Sequence, residues 1–325
     1  MFDHLRANPA IRQLGVPVVP RGVPAAGRAA LLELYPDARF NPGPDALDED
    51  GMIAFLQGCD AAVIGLDPLS ARVIDALPEL KIVGKFGAGY DTVDFEALKR
   101  RGILFGYAWG VNALPVAEMA LSFMISGLRE FTRLNQSMRE GERPFLQMGR
   151  LLSGRTVGIH GCGHIGQTLV RLLKPFNCEI IACDIRDRSA FYREHGVTAV
   201  DFATLLERSE VLSLHLSKSR ATTGLYDRAA LERMRPDSIL VNTCRGGIVD
   251  EDVLLERLQS GALAGACFDV FAIEPAANDA LLRHPRMLAT PHIGAAIDEV
   301  RVDMFKAAIA ALVDNGPVNL ADYDV

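Results

Sequence analysis

Thr156-Val157-Gly158-Ile159-His160-Gly161-Cys162-Gly163-His164-Ile165-Gly166 carries the strongest structural signal in the chain. Its first five residues read as a buried strand, and Ile165 to Leu173 read as the helix that follows. The three glycines between them have distinct physical roles. Gly161 permits the tight turn out of the strand, Gly163 lets backbone approach a pyrophosphate, and Gly166 lets the helix pack closely on the strand. His164 sits inside the loop, bordering the phosphates, and Ile165 opens the helix, where free N–H groups and the helix dipole favour an anion. The next apolar run ends in Asp184, 18 residues beyond Gly166. That is near the spacing of an acid that accepts hydrogen bonds from an adenosine ribose. A carboxylate there repels a 2′-phosphate, so the pattern favours NAD. Arg186 and Arg188 follow closely and keep NADP open as the alternative.

Outward from this loop, strands are predicted at Thr156–His160, Glu179–Asp184, Val211–His215, Ser238–Asn242, Gly265–Asp269 and Met287–Ala289. Helices fall between most of them, at Ile165–Leu173, Ala203–Arg208, Arg228–Met234 and Glu251–Gln259. This alternation predicts a doubly wound, parallel nucleotide-binding sheet. An earlier alternation predicts a second α/β domain, with strands near 61–65, 81–84 and 103–106 and helices at Ser70–Leu77 and Phe95–Arg100. Before it, Arg21 to Gly27 and Asn41 to Asp50 read as loops, and no clear strand precedes Val18. A long helix is predicted from Pro115 to Glu140. Its nearly all-apolar first half calls for burial in its own domain or against another subunit. A last helix, about Ile297 to Asp314, has no strand after it.

The chain has 325 residues, enough for two domains, and a net charge of −7. That charge argues against nucleic acid as a partner. No stretch is long and apolar enough for a membrane span, and Met1-Phe2-Asp3-His4-Leu5-Arg6 lacks a signal-peptide profile. The six cysteines show no metal-ligand spacing and several sit in apolar runs. They read as reduced thiols of a cytoplasmic protein, and no metal site is expected.

Three fragments of the last third each bring one polar group that chemistry can use. Asn242-Thr243-Cys244-Arg245-Gly246-Gly247 follows a strand end, where ligands gather in parallel sheets. The planar fork of Arg245 can grip a carboxylate and an adjacent carbonyl oxygen, and two glycines let a ligand come close. Phe268-Asp269-Val270-Phe271-Ala272-Ile273-Glu274-Pro275 brings a carboxylate, Glu274. Thr290-Pro291-His292-Ile293-Gly294-Ala295 brings an imidazole, His292. A carboxylate beside an imidazole favours its charged form, which can donate a proton to a ketone oxygen as hydride reaches the carbon. His215, at a strand end, has no acidic neighbour in sequence and reads instead as a residue lining the cofactor cleft. Together these features predict hydride transfer between a nicotinamide cofactor and a small 2-oxo or 2-hydroxy acid.

With these residues in view, the chain resembles the D-isomer-specific 2-hydroxyacid dehydrogenases, phosphoglycerate dehydrogenase in particular. The resemblance runs from about Leu80 to Ala295 and includes Val83-Gly84-Lys85-Phe86-Gly87-Ala88-Gly89-Tyr90-Asp91 and Asn112 through Val116-Ala117-Glu118. It implies a Rossmann-type NAD domain, about 112–291, inserted in a flavodoxin-like substrate domain made of 1–111 and 292–325. The active site would lie in the cleft, with Arg245, Glu274 and His292 in the roles just given. Ala88 and Gly89 would offer backbone N–H groups to the substrate carboxylate. Asp269 would orient the nicotinamide carboxamide, with Thr243, Cys244 and Gly294 near it. The helical region after Val116 would form a homodimer. The resemblance also covers two alternatives: an NADPH-dependent glyoxylate or hydroxypyruvate reductase, and a cofactor-sensing corepressor that keeps the same three polar residues. Three positions depart from the pattern. His215-Leu216-Ser217 stands where the family has His-x-Pro, Lys85, expected at the substrate, stands where phosphoglycerate dehydrogenases have arginine, and Trp109 replaces a smaller residue.

Overall fold

A computed structural model describes residues 5–19, 22–87, 89–107, 110–145 and 147–312. Ala88, Trp109 and the end of the last predicted helix lie outside them. The chain divides into two compact units, one formed by the residues up to Asn112 and from Ala296 on, the other by Ala113–Ala295. His292 therefore lies inside the second unit.

The first unit begins with β1 (Leu14–Val16), α1 (Ala25–Leu34), β2 (Arg39–Phe40) and α2 (Glu49–Leu56). It continues with β3 (Ala61–Ile64), α3 (Ala71–Asp75), β4 (Ile82–Lys85), α4 (Phe95–Arg101) and β5 (Leu104–Gly106). The strands form one parallel sheet in the order β2-β1-β3-β4-β5. This is the flavodoxin-like winding that the family resemblance implies. A strand, β1, does precede Val18, β2 lies between the two stretches read as loops, and α1 and α2 begin inside the ends of those stretches. The two strands escape a periodicity search because β1 has three residues and β2 only two. Helix starts follow from chemistry. Asp48, Ser70 and Asp94 each accept a backbone N–H three residues on.

The second unit opens with α5 (Ala113–Leu128) and α6 (Phe131–Arg139). The single helix predicted over 115–140 is therefore broken, at Glu130, whose φ of 53° is left-handed. No glycine marks that break in the sequence. The apolar half of α5 packs on this unit's own sheet, burying Ala117, Ala120, Phe123, Met124 and Leu128. Phe123, Met124 and Leu128 each contribute roughly 1.5–3 kcal/mol on leaving water. Helix α6 buries nothing.

The elements β6 (Thr156–His160), α7 (His164–Leu173), β7 (Glu179–Cys183), α8 (Ser189–His195), β8 (Thr198–Ala199) and α9 (Phe202–Arg208) follow. After them come β9 (Val211–Leu214), α10 (Arg228–Arg233), β10 (Ile239–Asn242), α11 (Glu251–Gln259), β11 (Gly265–Phe268), α12 (Asp279–Leu282) and β12 (Met287–Ala289). The sheet has seven parallel strands in the order β12-β11-β10-β9-β6-β7-β8. The sequence reading missed β8, an exposed two-residue edge strand. The strand order reverses between β6 and β9, the switch point where parallel sheets bind dinucleotides.

The last helix, α13 (Asp298–Ala310), returns to the first unit and explains why no strand follows it. It packs directly on β4 and β5. A Cβ on Gly84 would meet the Ala308 carbonyl oxygen at 2.2 Å, and one on Gly106 would meet the Ala311 Cβ at 2.0 Å. Glycine is what lets the helix approach the sheet this closely.

Candidate active site

Six strands of the second unit end on one row. Cys183 pairs with His160, His160 with Leu214, Leu214 with Asn242, Asn242 with Phe268, and Phe268 with Ala289. The residues next in sequence are Asp184, Gly161, His215, Thr243, Asp269 and Thr290. Register alone therefore brings the residues singled out in the sequence to a single edge of the sheet.

The glycine loop suits a pyrophosphate. Gly161 has a φ of 89°, and a Cβ there would stand 2.5 Å from the His215 carbonyl oxygen. A Cβ on Gly166 would meet the Gly161 carbonyl oxygen at 2.4 Å, whereas one on Gly163 would meet nothing within 4 Å. Two positions thus seal the turn and the third leaves open space. Asp184 accepts the Cys162 N–H at 2.6 Å and the Arg186 N–H at 2.8 Å, which fixes its carboxylate beside the loop. Arg188 Nε stands 3.6 Å from the same carboxylate. Ile185, the residue after Asp184, is 88% exposed, an apolar surface that sequence reasoning passed over. Thr243 Oγ1 and His215 Nδ1 are buried without a hydrogen-bond partner. Buried polar atoms without partners are costly, and these two stand at adjacent strand ends. An open glycine cradle flanked by orphaned polar atoms fits a dinucleotide. His215 instead turns Nε2 to Ser213 Oγ at 3.0 Å, and burial pushes its imidazole below the ordinary range.

The turn after β10 is tied by buried Asn242, whose Oδ1 accepts the Cys244 N–H at 3.1 Å and whose Nδ2 donates to the Arg245 carbonyl at 3.1 Å. Half-buried Arg245 donates through Nη1 to the Cys244 carbonyl at 2.7 Å. Cys244 itself is buried, which pushes its thiol up to about 11 and keeps it inert.

The loops after β11 and β12 meet. His292 Nδ1 lies 2.7 Å from Glu274 Oε2, and the other carboxylate oxygen of Glu274 accepts the Phe271 N–H at 3.1 Å. His292 has a φ of 55°, rare for a side chain of its size. Its N–H donates to the Asp269 carbonyl at 2.8 Å. The Asp269 side chain, 1% exposed, accepts the Thr290 hydroxyl at 2.5 Å, the Ile293 N–H at 2.8 Å and the Gly294 N–H at 2.8 Å. The polar groups of Asp269 and Gly294 that were expected on the cofactor are thus bonded to each other. Asp269 thereby shapes the turn that holds His292, a role that no local sequence pattern signals.

In the first unit, Gly89 is half-buried in the segment after β4. Lys85 ends β4. It is 1% exposed, and its ammonium donates to the carbonyls of Gly65 at 2.6 Å and Phe86 at 3.0 Å. These two bonds anchor the ammonium within the first unit. Among the described residues no group of side chains is arranged to hold a metal ion, and no helix is long and apolar enough to cross a membrane.

Residues 121–294 match the family model for the D-isomer specific 2-hydroxyacid dehydrogenase, NAD binding domain. The chain is 31% identical to a glyoxylate reductase of Thermococcus litoralis over 94% of its own length and 96% of that protein. It is 36% identical to a D-3-phosphoglycerate dehydrogenase of Archaeoglobus fulgidus, covering 73% of this chain and 45% of that one. Among solved structures it resembles the NADPH-dependent glyoxylate/hydroxypyruvate reductase of Sinorhizobium meliloti in complex with NADP and malonate, with a TM-score of 0.79, 27% identity and 91% of each chain covered. The glycine cradle, the row of strand ends and these matches agree: the chain belongs to the D-isomer specific 2-hydroxyacid dehydrogenase family, and is an oxidoreductase that acts on CH–OH donors with a nicotinamide cofactor.

Proposed function

We propose that this protein interconverts a small 2-oxo acid and its D-2-hydroxy acid with NAD, using Arg245, Glu274 and His292. The observation that carries this reading is the 2.7 Å bond from His292 Nδ1 to Glu274 Oε2. It fixes the imidazole through Nδ1 on a side chain that is 40% exposed, leaving Nε2 for the reaction. Bound nicotinamide supplies or accepts the hydride at C2. In reduction, Nε2 of His292 donates a proton to the carbonyl oxygen, and in oxidation it accepts the hydroxyl proton. Glu274 orients the ring. The Arg245 fork holds the substrate carboxylate and polarises the adjacent carbonyl. The Gly89 N–H is the proposed second donor to the carboxylate.

For the cofactor, Gly161, Gly163, His164, Ile165 and Gly166 receive the pyrophosphate, and Asp184 accepts from the adenosine ribose. Ile185 offers the adenine an apolar surface. Thr243, Cys244, His215, Asp269 and Gly294 line the row along which the remainder lies. One observation favours NADP as a second reading. Arg188, 3.6 Å from Asp184, offsets the negative charge that would repel a 2′-phosphate. NAD is preferred because both Asp184 oxygens are held by backbone N–H groups and stay in place.

A second copy of the chain is proposed to cover the apolar side chains of α6 and the segment after it. Met138, Phe145, Met148 and Leu151 are 52%, 83%, 92% and 68% exposed. Sedimentation at twice the monomer mass checks this. The six cysteines are all free thiols, which suits the cytoplasm.

The test is NADH oxidation with glyoxylate, hydroxypyruvate, 2-oxoglutarate, phenylpyruvate and 3-phosphohydroxypyruvate. The best substrate should lose turnover by roughly 10²–10⁴-fold in His292→Gln while NADH affinity is kept. Reduction by His292→Gln at the wild-type rate rejects the acid assignment.

A further inference from the structure

Glu251 lies in the first turn of α11, directly after the helix cap Asp250, which accepts the N–H groups of Asp252 and Val253. A carboxylate at that place ordinarily serves the helix dipole. This one turns away from the helix. It is half-buried, and its Oε1 accepts the Ala272 N–H at 2.6 Å. The adjacent N–H, that of Phe271, donates to Glu274 Oε1 at 3.1 Å. The same segment is pressed from the other side by Gly246, the residue after Arg245. A Cβ there would stand 1.7 Å from the Phe271 carbonyl oxygen and 2.6 Å from the Ala272 nitrogen. Two successive peptides are therefore held by carboxylates: Glu274 accepts the N–H of the Val270–Phe271 peptide, while Glu251 accepts that of the Phe271–Ala272 peptide, which Gly246 also presses. One carboxylate is Glu274 itself, whose other oxygen meets His292.

Holding Glu251 there works against its charge. Burial pushes its carboxyl above the ordinary range, opposed by the Ala272 bond and reinforced by the charges of Asp252, Asp250 and Glu274. A first-turn acid free to move would turn to water and relieve both effects.

We propose that Glu251 is a positioning residue for the reaction: by accepting the Ala272 N–H it sets the turn that delivers Glu274 to His292. This rests on the Glu274–His292 pairing proposed above. Small displacements of a catalytic group cost rate far more than they cost binding. The role belongs to the acceptor oxygen, so an amide should serve in its place.

The experiment compares Glu251→Ala, Glu251→Gln, Glu251→Asp and His292→Gln with wild type, reading kcat, the KM for NADH and Tm. Glu251→Ala should lose kcat about tenfold with the NADH KM within about twofold of wild type. Glu251→Gln should restore kcat to within about twofold, since its amide oxygen accepts the same N–H. Glu251→Asp, one methylene short, should behave like the alanine variant and serves if that variant fails to fold. A Glu251→Ala enzyme at the wild-type kcat with a lower Tm marks a purely structural role and overturns the proposal. Equal losses in the alanine and glutamine variants overturn it as well. If His292→Gln is inactive and Glu251→Ala is unimpaired, only this proposal fails. If His292→Gln is as fast as wild type, the pairing fails and the proposal with it.

Discussion

Asp269 Oδ2 accepts the N–H of Gly294 at 2.8 Å, from 25 residues away. With the bonds from Ile293 and Thr290 to Oδ1, it makes one buried carboxylate the template of the turn that carries His292. Glycine at 294 belongs to this geometry, because a Cβ there would stand 3.0 Å from the same oxygen.

Asp269→Asn tests that template. An amide keeps one acceptor oxygen and presents a donor where Ile293 or Gly294 also donates. One buried N–H then loses its partner, at a cost of about 1–3 kcal/mol. Urea unfolding should show that loss, and kcat should fall because His292 is no longer held in its left-handed conformation.

Arg245→Lys keeps the charge and loses the fork. A point charge cannot bind carboxylate and carbonyl in parallel. The expected outcome is a fall in kcat/KM of roughly a hundredfold, shared between kcat and the KM of the 2-oxo acid, with the KM for NADH unchanged. Steady-state kinetics with both substrates varied separates these terms.

Asp184→Ser should lower NADH affinity and raise that for NADPH, by about tenfold in their ratio, because the ribose acceptor and its charge both go. Fluorescence titration with each cofactor reads the ratio. Arg188→Ala leaves the Asp184 charge unopposed and should move the ratio the other way.

The end of β6 makes stability depend on acid. His160 is buried, with Nδ1 at 2.7 Å from the Tyr226 hydroxyl. Burial pushes its imidazole down to about 4, with the charge of Asp184 opposing. Below about pH 6.5 the unfolded chain takes up a proton that the folded chain refuses until about pH 4. This contribution is therefore fully present above pH 6.5 and is lost as pH falls through that window, by up to about 3 kcal/mol. Urea midpoints measured from pH 7 to 4 should fall less steeply in His160→Asn.

The sequence made the second unit's sheet legible because its strands are buried apolar runs punctuated by helices. The predicted Thr156–His160 and Met287–Ala289 strands and the Glu251–Gln259 helix coincide with β6, β12 and α11. Short edge elements such as β2 and β8 leave too few residues for periodicity to register. The helix break at Glu130 depends on a left-handed residue that is not glycine. Arg245, Glu274 and His292 could be named because their residue types carry chemistry. The carbonyl partners of Lys85 were not legible, because they come from Gly65 and Phe86 and only the folded strand ends bring them to its ammonium. Asp269 and Glu251 act through backbone groups more than 20 residues away, a relationship that only folding creates.

The most direct measurement follows the hydride itself. NADH carrying deuterium on the transferred face of C4 is incubated with the protein and the best 2-oxo acid of the panel, and the product is examined by NMR and chiral chromatography. The account requires deuterium at C2 of a D-2-hydroxy acid, and its loss in His292→Gln. Product without deuterium at C2, or no product from any 2-oxo acid with either nicotinamide cofactor, contradicts it.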